Sequence, residues 1–202
     1  MNNASTTDLG IRRVDTDDTV AVATTVAAAF LEDPVTRWLV PDDRRRRQLV
    51  QPLFELHVAP YIRLGETYLT ADGDGAAVWA PPGAELFSPQ EAEAFGVALE
   101  ELVGPEVARF HQLAETFEQH HPAEPLYYCQ FLATVPARQG RGIGSAFLRD
   151  MLERADHEQA PAYHEATTPR NRVLYERHGY VTQGVFTLPD GPPLWRMWRD
   201  PR

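Results

Sequence analysis

Apolar residues recur along this chain with two periods, and each change of period marks the edge of an element. Residues 11–14 read as a short first strand. Asp15, Thr16, Asp17 and Asp18 then supply cap and first-turn chemistry for a helix to about Leu31, with Val20, Ala23, Val26, Ala27 and Phe30 as its buried stripe. Pro34 ends that helix, and Asp33-Pro34 turns the chain. A second helical pattern, Leu49, Val50, Leu53, Phe54 and His57, follows Asp42 and Asp43. The arginines at 44–47 are read as its solvated start, in preference to a nucleic-acid contact. Pro52 lies inside the pattern and predicts a kink or a break into two pieces.

Residues 66–70 and 76–80 alternate like strands, and Asp72-Gly73-Asp74-Gly75 between them signals a hairpin. Ser88-Pro89-Gln90-Glu91 has the form of a capping box with proline at the first helical position. The helix it opens runs to about Val103. Beyond Gly104-Pro105, residues Val107, Phe110, Leu113, Ala114 and Phe117 line another, which ends near His120. This helical insert, 85–121, is a candidate wall for a substrate cleft. An apolar strand follows over 126–135, then a glycine-rich turn, an amphipathic helix over 145–157 and a strand over 160–166. A short helix over 171–178 closes at Gly179, and 180–188 with 194–199 form a final hairpin. The order predicts one α/β domain over 1–202, frayed at 1–9. Its sheet is mixed and mostly antiparallel, with one parallel crossover and flanking helices.

Bulk properties narrow the function classes. A net charge of -10 argues against nucleic acid, which needs clustered Lys and Arg on a basic surface. The single cysteine, Cys129, leaves no internal disulfide and suits a reducing cytoplasm. The start of the chain is polar, and no apolar run reaches the length of a bilayer span. The expectation is a cytoplasmic protein with no membrane partner; nothing in the sequence sets an oligomeric state.

The stretch Arg138-Gln139-Gly140-Arg141-Gly142-Ile143-Gly144-Ser145 carries the first chemical signal. A strand, a glycine turn and a helix start make a site for an anion, because the first helical N–H groups have no internal partner. The absence of Gly-Lys-Ser/Thr disfavours a nucleotide P-loop. The mid-chain position, with no acidic ribose partner after it, weakens a dinucleotide reading. A second motif follows: Asn171-Arg172-Val173-Leu174-Tyr175-Glu176-Arg177-His178-Gly179-Tyr180.

These two stretches resemble the acyl-CoA loop and the later Asn…Tyr-Glu-x-x-Gly-Phe motif of GCN5-related N-acetyltransferases. Within that family the chain is most similar to puromycin N-acetyltransferases, through 27–30, Asp33-Pro34, 131–135, 168–171 and the closing 189–197. The resemblance implies a GNAT-like fold in which the strand before the loop splays from its parallel neighbour. It implies acetyl-CoA as co-substrate, held by Ala133, Thr134 and Val135 along the pantetheine and by residues 138–145 at the pyrophosphate. Asn171 is read as a pantetheine contact or a helix cap. Ile143 is read as a core anchor, and Arg138 and Arg141 as added charge or solvated loop residues.

Tyr175 is the candidate acid that protonates the leaving thiolate. The general base is less defined: the strand before the loop offers Tyr127, Tyr128, Cys129 and Gln130 but no carboxylate. Glu165 on the next strand is the candidate, with His164 expected on the opposite strand face. Phe30, Asp33, Trp38, Tyr128 and Gln130 are candidate acceptor contacts, with Glu32 and Tyr61 within reach of the same side. Cys129 reads as a buried strand residue, and His120-His121 as a helix cap, with no spacing for a metal site. The resemblance implies acetyl transfer to the primary amine of a small molecule such as puromycin, an antibiotic-resistance activity, by direct attack in a ternary complex. Alternatives are acetylation of a peptide N-terminus or lysine, and a non-catalytic CoA-binding module.

Overall fold

A computed structural model describes residues 9–202. The expected frayed start falls outside those residues except for Leu9, whose carbonyl accepts from the Ala71 N–H at 3.2 Å. Seven strands form one sheet: β1 (Arg12–Arg13), β2 (Thr67–Leu69), β3 (Gly75–Ala80), β4 (Tyr127–Thr134), β5 (Ala162–Ala166), β6 (Val181–Thr187) and β7 (Pro193–Arg199). Their order across the sheet is β1-β2-β3-β4-β5-β7-β6. Every pair is antiparallel except β4 with β5. The expected mixed α/β architecture is therefore present, with its one parallel pair in the centre.

Seven helices of the described residues cover the sheet: α1 (Thr19–Phe30), α2 (Pro34–Leu39), α3 (Asp43–Arg63), α4 (Pro89–Val103), α5 (Val107–His120), α6 (Ile143–His157) and α7 (Pro169–Arg177). Helix α1, together with α3, packs its apolar side on β3 and β4 through Val22, Ala23, Val26, Phe54, Val58, Val78 and Phe131. On the other face, α6 buries Phe147, Leu148, Met151 and Leu152 against Trp79, Tyr127 and Met197. A third cluster joins α2, α4 and α5 to the final hairpin.

Four local expectations are corrected. Val20 lies 59% exposed and Val22 takes its place in the core; the segment is apolar on every side, so periodicity alone does not select the face. Proline 34 starts α2 instead of only ending α1, because the Asp33 side chain accepts from the Val35 N–H and caps it. Helix α3 runs unbroken through Pro52. Proline there removes one intrahelical bond, and the carbonyl left over belongs to Gln48, an exposed residue. Burial of Leu49, Val50, Leu53 and Phe54 on either side of Pro52 holds both halves in register.

Finally, Arg46 of the basic run is buried, not wet. Its guanidinium donates to the Leu31 and Val40 carbonyls at 2.9 and 3.0 Å and pairs with Asp43. Those carbonyls sit at the ends of α1 and α2, where no helical donor reaches them. Arg46 thus joins the three helices that form one side of the cleft.

Candidate active site

The parallel β4–β5 pair is short. Tyr127 faces Ala162 and Tyr128 faces Tyr163, and beyond those two rungs no pairing continues. The edge of β4 from Cys129 onward is left free of β5, and the chain after it turns through Gly140 and Gly142 into α6. Both glycines have left-handed backbones, φ 79° and 88°, which any other L-residue adopts only with strain. Gly142 is the N-cap of α6 and brings no side-chain bond, so the first N–H groups of a 15-residue helix keep their full donor capacity. Ile143 anchors that start in the core. Its Cγ2 would lie 2.4 Å from a Cβ placed on Gly75 of β3, so only glycine allows the close approach.

A groove of about 630 Å³ runs along this turn, lined by residues 139–145, Thr134, Leu132 and the α7 residues Arg170, Asn171, Leu174, Tyr175 and Arg177. A second cavity of about 290 Å³ lies against it, walled by α1 to α5 and floored by β4 and β5. Phe30, Asp33, Leu132, Asn171 and Tyr175 line both.

Comparison with known proteins agrees with this geometry. The model of the acetyltransferase (GNAT) domain family matches residues 91–182. An N-acetyltransferase of Schizosaccharomyces pombe is 25% identical over 207 residues, which cover 96% of this chain and 84% of that one. The structure of a histone acetyltransferase HPA2 and related acetyltransferase from Corynebacterium glutamicum superposes with a TM-score of 0.71 at 27% identity, covering 95% and 96%. The fold is shared with arylalkylamine N-acetyltransferase 2 from Aedes aegypti, TM-score 0.64 at 13% identity, covering 95% and 98%. Over residues 91–182 the chain is similar to the GNAT acetyltransferase domain.

The groove residues expected from the glycine turn lie together, with three exceptions. Arg138 turns away to pair with Asp74 at 2.7 Å, and Ala133 faces the core beneath α1. Val135 gives its N–H to the Asp74 carbonyl. Arg170 and Arg177 line the groove although only Arg138 and Arg141 stood out in sequence. A chain of charge -10 thus turns three arginines toward one groove. Arg170 also donates to Gln139 at 3.1 Å, which fixes it beside the turn. The cap of α7 is Thr168, whose hydroxyl accepts from the Asn171 N–H at 3.1 Å. The Asn171 side chain is therefore not spent on capping.

The second cavity is mostly apolar. Phe30, Phe54, Phe95, Phe110, Phe117 and Phe131 contribute to it, and the insert helices α4 and α5 supply Phe95, Phe110 and Phe117 among them. Two carboxylates interrupt that lining. Asp33 accepts from Thr167 at 2.5 Å and from the Val35 N–H, and burial raises its pKa against those bonds. Glu165 accepts from the Tyr128 hydroxyl at 2.9 Å through one oxygen. Its other oxygen is buried and accepts no hydrogen bond; His121 Nδ1 lies 3.7 Å from it. His121 closes α5 as expected, its N–H donating to the Phe117 carbonyl at 2.7 Å, and its ring also packs edge-on against Tyr128 and Tyr163.

Tyr175 is 2% exposed, and burial holds its phenol well above the ordinary range, so it stays protonated. Gln130 lines the cavity and accepts from the Tyr61 hydroxyl at 2.8 Å. Trp38 does not line it: the indole donates to the Pro189 carbonyl at 3.0 Å, and a Cβ on Gly191 would lie 2.7 Å from the ring. Cys129 is fully buried with its thiol pushed well up by desolvation, which makes it a poor nucleophile. His164, expected on the face away from the site, lines the cavity beside Glu165. His57 lines it from α3; its Nδ1 lies 2.8 Å from the Leu53 carbonyl, and burial lowers its pKa. Among the described residues no group of three or more His, Cys, Asp or Glu is placed to hold a metal, and no helix is long and apolar enough to cross a membrane.

Proposed function

We propose that the chain transfers an acetyl group from acetyl-CoA to the primary amine of a small molecule by direct attack. The observation that carries this is the shared rim: Phe30, Asp33, Leu132, Asn171 and Tyr175 border both the groove and the apolar cavity. A donor in one and an acceptor in the other would meet there, the arrangement a ternary complex requires.

The groove fits acetyl-CoA on its own terms. Glycine backbones leave the turn open to close approach, an uncapped helix start presents N–H donors, and Arg141, Arg170 and Arg177 add positive charge. The N–H groups of 140–144 would hold the pyrophosphate, and the free edge of β4 would hold the pantetheine. Acetyl-CoA supplies an acyl group already activated as a thioester. Tyr175, kept protonated, donates to the sulfur that leaves. Glu165 receives the cationic amine, because its buried oxygen without a donor is satisfied by an ammonium, and Asp33 adds a second carboxylate to the same cavity.

An apolar cavity lined by six phenylalanines suits the body of a small amine better than a peptide backbone, which needs rows of hydrogen-bond partners. Puromycin, or a related aminoacyl-nucleoside, joins one amine to an aromatic side chain and is the acceptor we favour. The test is thiol release from acetyl-CoA against a panel of puromycin, an arylalkylamine, a polyamine and a lysine peptide. Release above buffer with puromycin is expected. Release with other small amines alone removes puromycin and keeps the reaction. Release with the peptide alone makes the chain a protein acetyltransferase. Tight acetyl-CoA binding with no release from any amine makes it a CoA-binding module.

A further inference from the structure

The parallel pairing of β4 and β5 stops after Tyr128 and Tyr163, so the next rung would have been Cys129 with His164. A side chain takes that rung instead. The His164 ring lies in the gap, with Nδ1 2.7 Å from the Cys129 carbonyl. A carbonyl only accepts, so Nδ1 carries the hydrogen. The neutral ring must then present a lone pair at Nε2, on the other side of the ring from that bond. His164 lines the acceptor cavity, and its ring centroid is 4.3 Å from that of Tyr175.

The groups that face this ring leave it neutral. Burial lowers its pKa, and the Cys129 carbonyl and the charge of Glu165 oppose that only in part. Cys129 and Tyr175 on the neighbouring elements are both held protonated by burial. Across the strand, β7 offers Met197. The carboxylate of Asp33 reaches Tyr175 electrostatically from the start of α2.

We propose that His164 Nε2 accepts the proton from the substrate ammonium, while Glu165 binds that ammonium without taking its proton. The inference rests on the acetyl-transfer reading above. The ammonium gives one proton to Nε2, and the freed nitrogen lone pair forms the C–N bond at the acyl carbon. The C–S bond breaks, its electron pair stays on sulfur, and the sulfur takes a proton from the Tyr175 hydroxyl. The nitrogen sheds its second proton to the resulting phenolate, and His164 releases the first to water. One ammonium and one thioester thus yield one amide, one thiol and one proton. A base already neutral at physiological pH is ready for the first step, whereas an ordinary imidazole is partly protonated there.

His164→Asn is the informative variant, since its amide still donates to the Cys129 carbonyl but takes no proton. With the amine identified by the panel, kcat/KM is expected to fall on the order of 10²–10³-fold. The acidic limb of its pH profile should vanish while acetyl-CoA affinity by calorimetry is unchanged. Glu165→Gln should raise the acceptor KM and keep that limb. Nitrogen-15 NMR of the wild-type protein should show Nδ1 protonated and Nε2 bare at pH 7, a readout independent of activity. A His164→Asn enzyme within about threefold of wild type, with its acidic limb intact, overturns the assignment. So does an Nε2-protonated ring, or loss of the limb in Glu165→Gln instead. If His164→Asn does not fold, the NMR tautomer and the Glu165→Gln profile decide. Wild-type protein that turns over no amine sinks the parent reading as well; turnover with an unaffected His164 variant sinks this one alone.

Discussion

The donor groove and the acceptor cavity touch at five residues but are built in different ways. The groove is lined mainly by one continuous stretch of chain, 132–177, and its key features belong to the backbone: two left-handed glycines, an uncapped helix start and an unpaired strand edge. The cavity gathers side chains from α1 to α5, β4 and β5, spread over 30–175. Backbone features tolerate exchange of surrounding side chains but not of the glycines. A side-chain lining tolerates loss of any single residue but changes what it selects. One region should therefore fail sharply when broken, and the other should shift by degrees.

The sharpest break is expected at Gly142. Valine there must hold φ near 88°, at about 1–2 kcal/mol of backbone strain, and it puts a branched Cβ where the ligand approaches. Acetyl-CoA affinity of Gly142→Val should weaken on the order of a hundredfold by calorimetry, since both strain and lost N–H alignment act on one site. Unchanged affinity would mean that the helix start does not hold the donor. A smaller and more selective effect is expected at Phe117→Ala on α5. Losing part of an aromatic contact of about 1–2 kcal/mol should raise the acceptor KM roughly tenfold and leave acetyl-CoA affinity alone. An equal loss in both constants would erase the distinction between the regions.

The smallest effect is one of pH, and it belongs to the cavity. His57 and His164 are held below the ordinary value of 6.5 by burial. The unfolded chain therefore binds more protons than the native one below that value. Their contribution to stability is present above pH 6.5 and is lost as pH falls through the window below it. The Tm should drop between pH 7 and pH 5, and drop less in His164→Asn. An equal drop in that variant would place the acid sensitivity elsewhere.

The same contrast explains what the sequence revealed. Glycines, caps and strand alternation act locally, so the groove was legible: 139–145 and Asn171 with Tyr175 lie where the motifs put them. The capping box at Ser88 and the helix stop at Val103 were equally plain. Side-chain direction across distant elements was not legible. Trp38 reads as an aromatic cavity wall, yet its indole is held by the hairpin at Pro189. Arg46 reads as solvated, yet three backbone carbonyls, at Leu31, Val40 and Pro41, take its donors. His164 reads as facing away by strict alternation, yet β4 has parted from β5 at that rung, and the ring reaches the Cys129 carbonyl. Arg170 and Arg177 had no local signal; only the path of α7 along the groove gathers them.

The Trp38 contact has a consequence for the order in which the molecule can be made. It ties α2 to a turn 151 positions further along the chain. The stretch from β3 to α6 pairs within itself, β3 along β4 with α6 packed over both, and can begin to assemble while the last strands are still being synthesised. The wall carrying Val35, Thr36 and Leu39 cannot be fixed until the closing hairpin has emerged. A chain halted before Pro189 would then hold a donor site without a finished place for the acceptor.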